Sequence, residues 1–89
     1  MSQPSAPKIE FPCDYGIKVI GNAAPDFKDF VVSVVETHAP GLQEDRITVA
    51  DSRNGRYTSV RLTIWATGEP QLKALFEDLK ASGRVHMVL

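Results

Sequence analysis

The side chains with the readiest chemistry near neutral pH are Cys13, His38 and His86, in a chain of 89 residues with one cysteine and two histidines. A nucleophilic site needs a thiol or hydroxyl held beside a base. Cys13 precedes the first periodic segment, His38 closes a helical stretch and His86 falls near the end of the chain, so the element order gives no reason for them to meet. A metal centre wants three or four ligands at organised spacing, and neither Cys-x-x-Cys nor His-x-x-x-His is present. Gly21-Asn22-Ala23-Ala24-Pro25 joins a strand-like to a helix-like segment, as phosphate-binding loops do. It has a single glycine and no lysine, and Asp26 and Asp29 in the following turn would repel an anion. The carboxylate pairs Glu44-Asp45 and Glu77-Asp78 read as solvated loop and helix positions. These patterns predict a non-enzyme with no catalytic residue, no metal ligand and no cofactor, acting by binding.

Binding residues need elements to position them. Tyr15, Ile17 and Val19 alternate with Gly16, Lys18 and Ile20, the period of a strand with one better-buried face. Phe27, Phe30, Val31, Val34 and Val35 then recur at helical spacing behind Pro25, which suits a first turn because its missing N–H has no partner there. Ala39-Pro40-Gly41 stops that helix. Ile47 and Val49, alternating with Arg46, Thr48 and Ala50, form a short strand. Asn54-Gly55 signals a hairpin whose two turn residues both take positive φ. The return strand is the clearest: Val60, Leu62, Ile64 and Ala66 on one face, Tyr57, Ser59, Arg61, Thr63 and Trp65 on the other. Pro70 opens a second helix with Leu72, Leu75, Phe76 and Leu79 on its buried stripe, and Gly83 ends it. A final strand, residues 84–89, is expected to bury Val85, Met87 and Leu89.

The order β-α-β-β-α-β predicts an α+β ferredoxin-like sandwich, a four-stranded antiparallel sheet with two helices on one face. The expected core is Ile17, Val19, Ile47, Val49, Val60, Leu62, Ile64, Val85 and Met87 beneath the helical stripes. The opposite sheet face is left uncovered. Its predicted residues, Lys18, Ile20, Arg46, Thr48, Ser59, Arg61, Thr63, Trp65, His86 and Val88, are basic, aromatic and aliphatic, with no carboxylate. Net charge is −1, yet residues 1–45 hold three basic and seven acidic groups while residues 46–89 hold seven and four. Near-neutrality therefore conceals a basic sheet beneath acidic helices. Lys18, Arg46, Arg61, Trp65 and His86 are the candidate contact residues, with Arg53 and Arg56 as electrostatic steering groups. The expected partner is a protein, with a small ligand as a further option.

Single-stranded RNA is a weaker alternative. RNA-recognition motifs share this element order and stack bases on sheet aromatics. Gly55-Arg56-Tyr57-Thr58-Ser59-Val60-Arg61-Leu62, set on their third-strand signature, matches at Tyr57 and Val60 but places Ser59 where an aromatic is needed.

Several stretches together resemble the YbeD-like family of small bacterial proteins of unknown function. They are Phe11-Pro12, Tyr15 with Lys18-Val19-Ile20-Gly21, His38-Ala39-Pro40-Gly41, Gly55-Arg56-Tyr57 with Ser59-Val60, and Met87-Val88-Leu89. The resemblance implies a ferredoxin-like fold akin to ACT domains, which bind small ligands and regulate enzymes, and imports no catalytic residue. It raises an ACT-like small-molecule sensor as an alternative function. The first strand–helix turn departs from the ACT pattern, because Asn22-Ala23-Ala24-Pro25-Asp26 has no glycine after its proline.

Composition bounds the rest. Apolar residues at 43% and charged residues at 24% fit one globular domain. The Pro- and Ser-containing residues 1–13 read as a flexible leader and residues 14–89 as the domain. A lone cysteine permits no internal disulfide, and no apolar run approaches the ~20 residues that span a bilayer. The expectation is a cytoplasmic monomer or homodimer without membrane association.

Overall fold

A computed structural model describes residues 12–89. The elements run β1 (Cys13–Asn22), α1 (Phe27–His38), a 3-10 turn (Glu44–Arg46), β2 (Thr48–Asp51), β3 (Tyr57–Ala66), α2 (Glu69–Ala81) and β4 (Val85–Val88). The strands form one antiparallel sheet in the order β2-β3-β1-β4, so the two ten-residue strands are central and the two four-residue strands are edges. This is the α+β architecture the element order predicts.

Alternation decides which face is covered. Along β3, Thr58, Val60, Leu62, Ile64 and Ala66 are buried, and β1 matches them with Ile17 and Val19. Phe27, Val31 and Val35 of α1, with Leu72, Leu75 and Leu79 of α2, close over this face in one apolar cluster. Burying each such side chain contributes roughly 1.5–3 kcal/mol, which is why a valine-rich helix of middling propensity holds. Gly21 is required by this packing: a Cβ there would lie 2.6 Å from the Phe27 ring and meet the Arg84 carbonyl oxygen.

Polar ties lock the layers at both ends. The Gln71 side chain accepts from the Thr67 N–H at 2.9 Å and donates to the His38 carbonyl at 2.9 Å, joining the end of α1 to the start of α2. His38 Nε2 lies 2.9 Å from Asp78 Oδ2 between the helices. Arg84 donates to both Asp26 oxygens, at 2.7 and 3.3 Å, with its guanidinium 4.7 Å from the Phe30 ring centroid. That hydrogen bond, foremost, lowers the Asp26 pKa and raises that of Arg84.

The structure corrects several expectations. Val49, expected in the core, is 44% exposed because β2 lies at the sheet edge beyond the helices. Met87 is also not core. The β1–β4 register slips by one residue, pairing Ile20 with Met87 but Gly21 with Val85 and leaving His86 as the extra residue. The slip turns Val85 and Val88 toward the helices and Met87 to the open face, with Leu89 beyond it exposed. Val88, expected on the open face, pairs with buried Val19 instead. In the β2–β3 hairpin only Gly55 has positive φ (+71°). The loop is longer than a two-residue turn: Gly55 N–H donates to the Ser52 carbonyl, and Ser52 N–H to that of Tyr57. Asn54 accepts from Ser52 Oγ and the Arg56 N–H, closing the turn from its side chain. The expected leader, residues 1–13, lies outside the described residues except for Pro12 and Cys13, and Cys13 already begins β1.

Candidate functional site

With both helices on one side, the alternate residues of the central strands face outward. The register sets Asp14 opposite Trp65, Gly16 opposite Thr63, Lys18 opposite Arg61 and Ile20 opposite Ser59. Thr48 on β2 flanks Arg61 on its other side. On the β4 side, backbone hydrogen bonds of 2.9 and 3.0 Å join Lys18 to Leu89. A shallow hollow of about 550 Å³ opens at this crossing, lined among others by Gly16, Lys18, Arg46, Arg61, Thr63 and Leu89.

Two features of the hollow work against the stability of the fold. Lys18 and Arg61 are direct cross-strand neighbours, a position where side chains stand ~4.5–5.5 Å apart at Cβ and like charges destabilise. Among the described residues neither has an ion-pair partner. Gly16 interrupts a central strand, where glycine is less favourable than alanine by roughly 0.5–1 kcal/mol. Nothing stands within 4 Å of where its Cβ would be, so internal packing does not require a glycine. The absent side chain leaves the floor of the hollow open at Gly16.

The five residues predicted from sequence are only partly assembled. Lys18, Arg46 and Arg61 line the same hollow. Arg46 reaches it from the 3-10 turn rather than from a strand, and its Nη2 lies 3.7 Å from Asp14 Oδ2. Asp14 therefore puts a carboxylate on a face expected to have none. Trp65, the chain's one tryptophan, is 55% exposed on the same face, one outward position beyond Thr63. His86 stands apart. It is 2.8 Å from Asn22 Oδ1 and edge-on to Tyr57 at 5.3 Å, at the Tyr57 end of β3, about 26 Å along the strand from Trp65. The sequence reading missed Gly16, Leu89 and Met87. An isolated glycine within a strand pattern was the available signal for the first; the register slip that exposes Met87 and Leu89 has none.

No cluster of three or more His, Cys, Asp or Glu side chains suited to a metal ion occurs among the described residues. No helix among them is long and apolar enough to cross a membrane. The turn at Asn22–Asp26 offers a hollow of about 350 Å³ beside Ala23, Ala24 and Pro25, with Asp26 committed to Arg84.

Fold and surface together define an open-faced, ACT-like α+β domain. In the solution structure of protein HP0495 from H. pylori the same fold recurs with a TM-score of 0.70 at 19% identity, over 100% of this chain and 93% of that one. The crystal structure of the ACT domain from GTP pyrophosphokinase of Chlorobium tepidum matches at 0.66 and 17% identity, over 85% and 94%. At such identities these likenesses show the fold alone. Sequence goes further: residues 6–89 match the family described as "Protein of unknown function (DUF493)", and the chain belongs to that family. Relatives called UPF0250 protein are 58% identical in Azotobacter vinelandii, over 94% of this chain and 92% of the relative, and 53% identical in Hahella chejuensis, over 99% and 97%. The resemblance to small bacterial proteins of unknown function is thereby borne out.

Proposed function

We propose that this protein is a non-catalytic regulatory or adaptor domain that binds a protein partner through the uncovered sheet face. The observation that carries the reading is the opposed Lys18–Arg61 pair, joined by Arg46 around an open hollow. An arrangement that costs stability, with neither Lys18 nor Arg61 in an ion pair among the described residues, is accounted for by an anionic group supplied from outside. Exposed Trp65 adds apolar area of the kind that anchors interfaces. The hollow is shallow, whereas small-molecule sites usually bury most of the ligand. That favours a macromolecular partner.

The test is affinity capture from a bacterial extract with wild type beside a Trp65→Ala, Arg61→Glu double variant. Both positions are exposed, so circular dichroism should show an intact fold in the variant. Capture of a defined partner by the wild type alone is expected; equal capture by the folded variant removes this face from consideration. The likeness to the ACT domain of GTP pyrophosphokinase favours a second reading, a small-molecule sensor with its site at the Asn22–Asp26 turn. An amino-acid panel that leaves the amide shifts of that turn unchanged would count against it.

A further inference from the structure

The geometry of the hollow points to the chemistry of the partner: we infer that the open face receives an amphipathic α-helix carrying an acidic stripe beside an aliphatic one. The inference rests on the proposal that this face binds protein, and names what that protein presents.

Unpaired backbone groups remain at the sheet edges, which include β1 before Lys18 because β4 does not reach it; a partner segment lying on the face itself meets side chains. An extended segment there would leave its own backbone N–H and C=O groups without partners. A helix satisfies these groups internally, which is why helices pack on sheet faces and strands add to edges. The dimensions agree. At Lys18 and Ile20, where all three strands are present, the span from β3 across β1 to β4 is two inter-strand spacings, about 10 Å, close to the 10–12 Å width of a helix with its side chains. A helix along β1 would have its midline over Gly16, Lys18 and Ile20. Gly16 supplies the clearance, since no atom stands within 4 Å of its Cβ position.

The two flanks of such a helix would meet different chemistry. On the β3 side lies Arg61, which with Lys18 calls for carboxylates, while Arg46 from the 3-10 turn already has its Nη2 3.7 Å from Asp14 Oδ2. On the β4 side Met87 and Leu89 are 48% and 64% exposed, and Ile20 lies beside Met87 in the register. These call for aliphatic side chains. A second copy of this chain fits poorly by the sheet face, because a two-fold interface centred on the hollow would set the cationic groups against themselves. The face is also poor for stacked nucleotides, with Ile20 and Ser59 in place of aromatics and Asp14 opposite Trp65.

The experiment titrates isotope-labelled protein with an 18-residue designed helix carrying leucines at i, i+3, i+4 and i+7 and glutamates on one flank. The same helix with lysine for glutamate and a single-stranded oligonucleotide serve as the other arms. The expected result is saturable amide shifts at Gly16, Lys18, Arg61 and Leu89 with the acidic helix only, up to about 1 mM peptide. Affinity should fall at least tenfold in Gly16→Phe, which fills the hollow without changing charge, and the variant's fold is checked by its own spectrum. No shift at these residues, equal binding of the lysine helix, unchanged affinity in Gly16→Phe, or oligonucleotide binding in place of the helix would each overturn the inference. If the inference fails while the Trp65→Ala, Arg61→Glu variant still loses its partner from extract, the face is right and the partner's chemistry is wrong; if that capture is also unaffected, the face itself is wrong.

Discussion

Replacing Lys18 with glutamate should make this protein more stable while destroying its binding surface. In the native register Lys18 faces Arg61 directly, and no carboxylate among the described residues forms an ion pair with either. Cross-strand pairs of opposite charge contribute roughly 0.2–1 kcal/mol, and like pairs are unfavourable by a similar amount. Lys18→Glu converts one into the other, a gain of about 0.4–2 kcal/mol. Lys18→Gln removes only the repulsion and should give about half of this. Asp14, the nearest outward carboxylate on the same strand, is four residues away, ~13 Å, which is beyond the ~10 Å Debye length at 0.1 M salt. For a domain of this size each kcal/mol moves the unfolding midpoint by about 4–8 °C. Thermal unfolding followed by circular dichroism at low salt should therefore place the three proteins in the order Lys18→Glu, Lys18→Gln, wild type, from highest midpoint to lowest. In 1 M salt, where the Debye length is about 3 Å, the spacing should contract. A lower midpoint for Lys18→Glu, or a gain indifferent to salt, would refute the claim that this pair is held at a cost to the fold.

Three further outcomes check the packing and its ties. Gly21→Ala forces a Cβ against the Phe27 ring and the Arg84 carbonyl oxygen, neither the loose end of a flexible chain, so denaturant unfolding should show a loss of about 1–3 kcal/mol. Gln71→Ala removes the links from α2 to Thr67 and His38; a loss of about 1–2 kcal/mol is expected, with faster hydrogen exchange at the Thr67 amide. The Asp26 carboxyl has its pKa lowered in the folded protein, chiefly by the Arg84 hydrogen bond. Its contribution is therefore fully present above the unfolded value of about 3.9 and is lost as pH falls through the lower folded value. The stability difference between wild type and Asp26→Asn should hold from pH 7 to 5 and shrink below pH 4; a constant difference down to pH 2 would show that the pair is not the cause.

The architecture was legible because its signals are local and repeated. In β3 a strict period of two ran from Tyr57 to Ala66, and both helices carried apolar residues at i, i+3 and i+4 between identifiable stops. What escaped depended on neighbours distant in sequence. The extra residue at His86 arises from the fit of β4 against β1 and reverses which of Met87 and Val88 is buried. Val49 alternates correctly but lies on an edge beyond the reach of the helices. Asn54 is not at positive φ, and its side chain closes the turn by accepting from Ser52 Oγ and the Arg56 N–H. For the candidate site, alternation placed Lys18 and Arg61 on one face, but that they are direct partners is a matter of register, and the emptiness above Gly16 is a matter of three dimensions.

Binding through the uncovered sheet face is tested most directly by a pair of bulky substitutions on opposite layers. Gly16→Phe fills the hollow; Ala74→Phe places the same bulk on the exposed side of α2. With both variants shown to be folded and used beside wild type as baits in the same extract, a partner held by wild type and Ala74→Phe but lost by Gly16→Phe is the predicted result. A partner retained by Gly16→Phe would take the working surface off the hollow, and one lost only by Ala74→Phe would place it on the helices; either result contradicts binding through the open sheet.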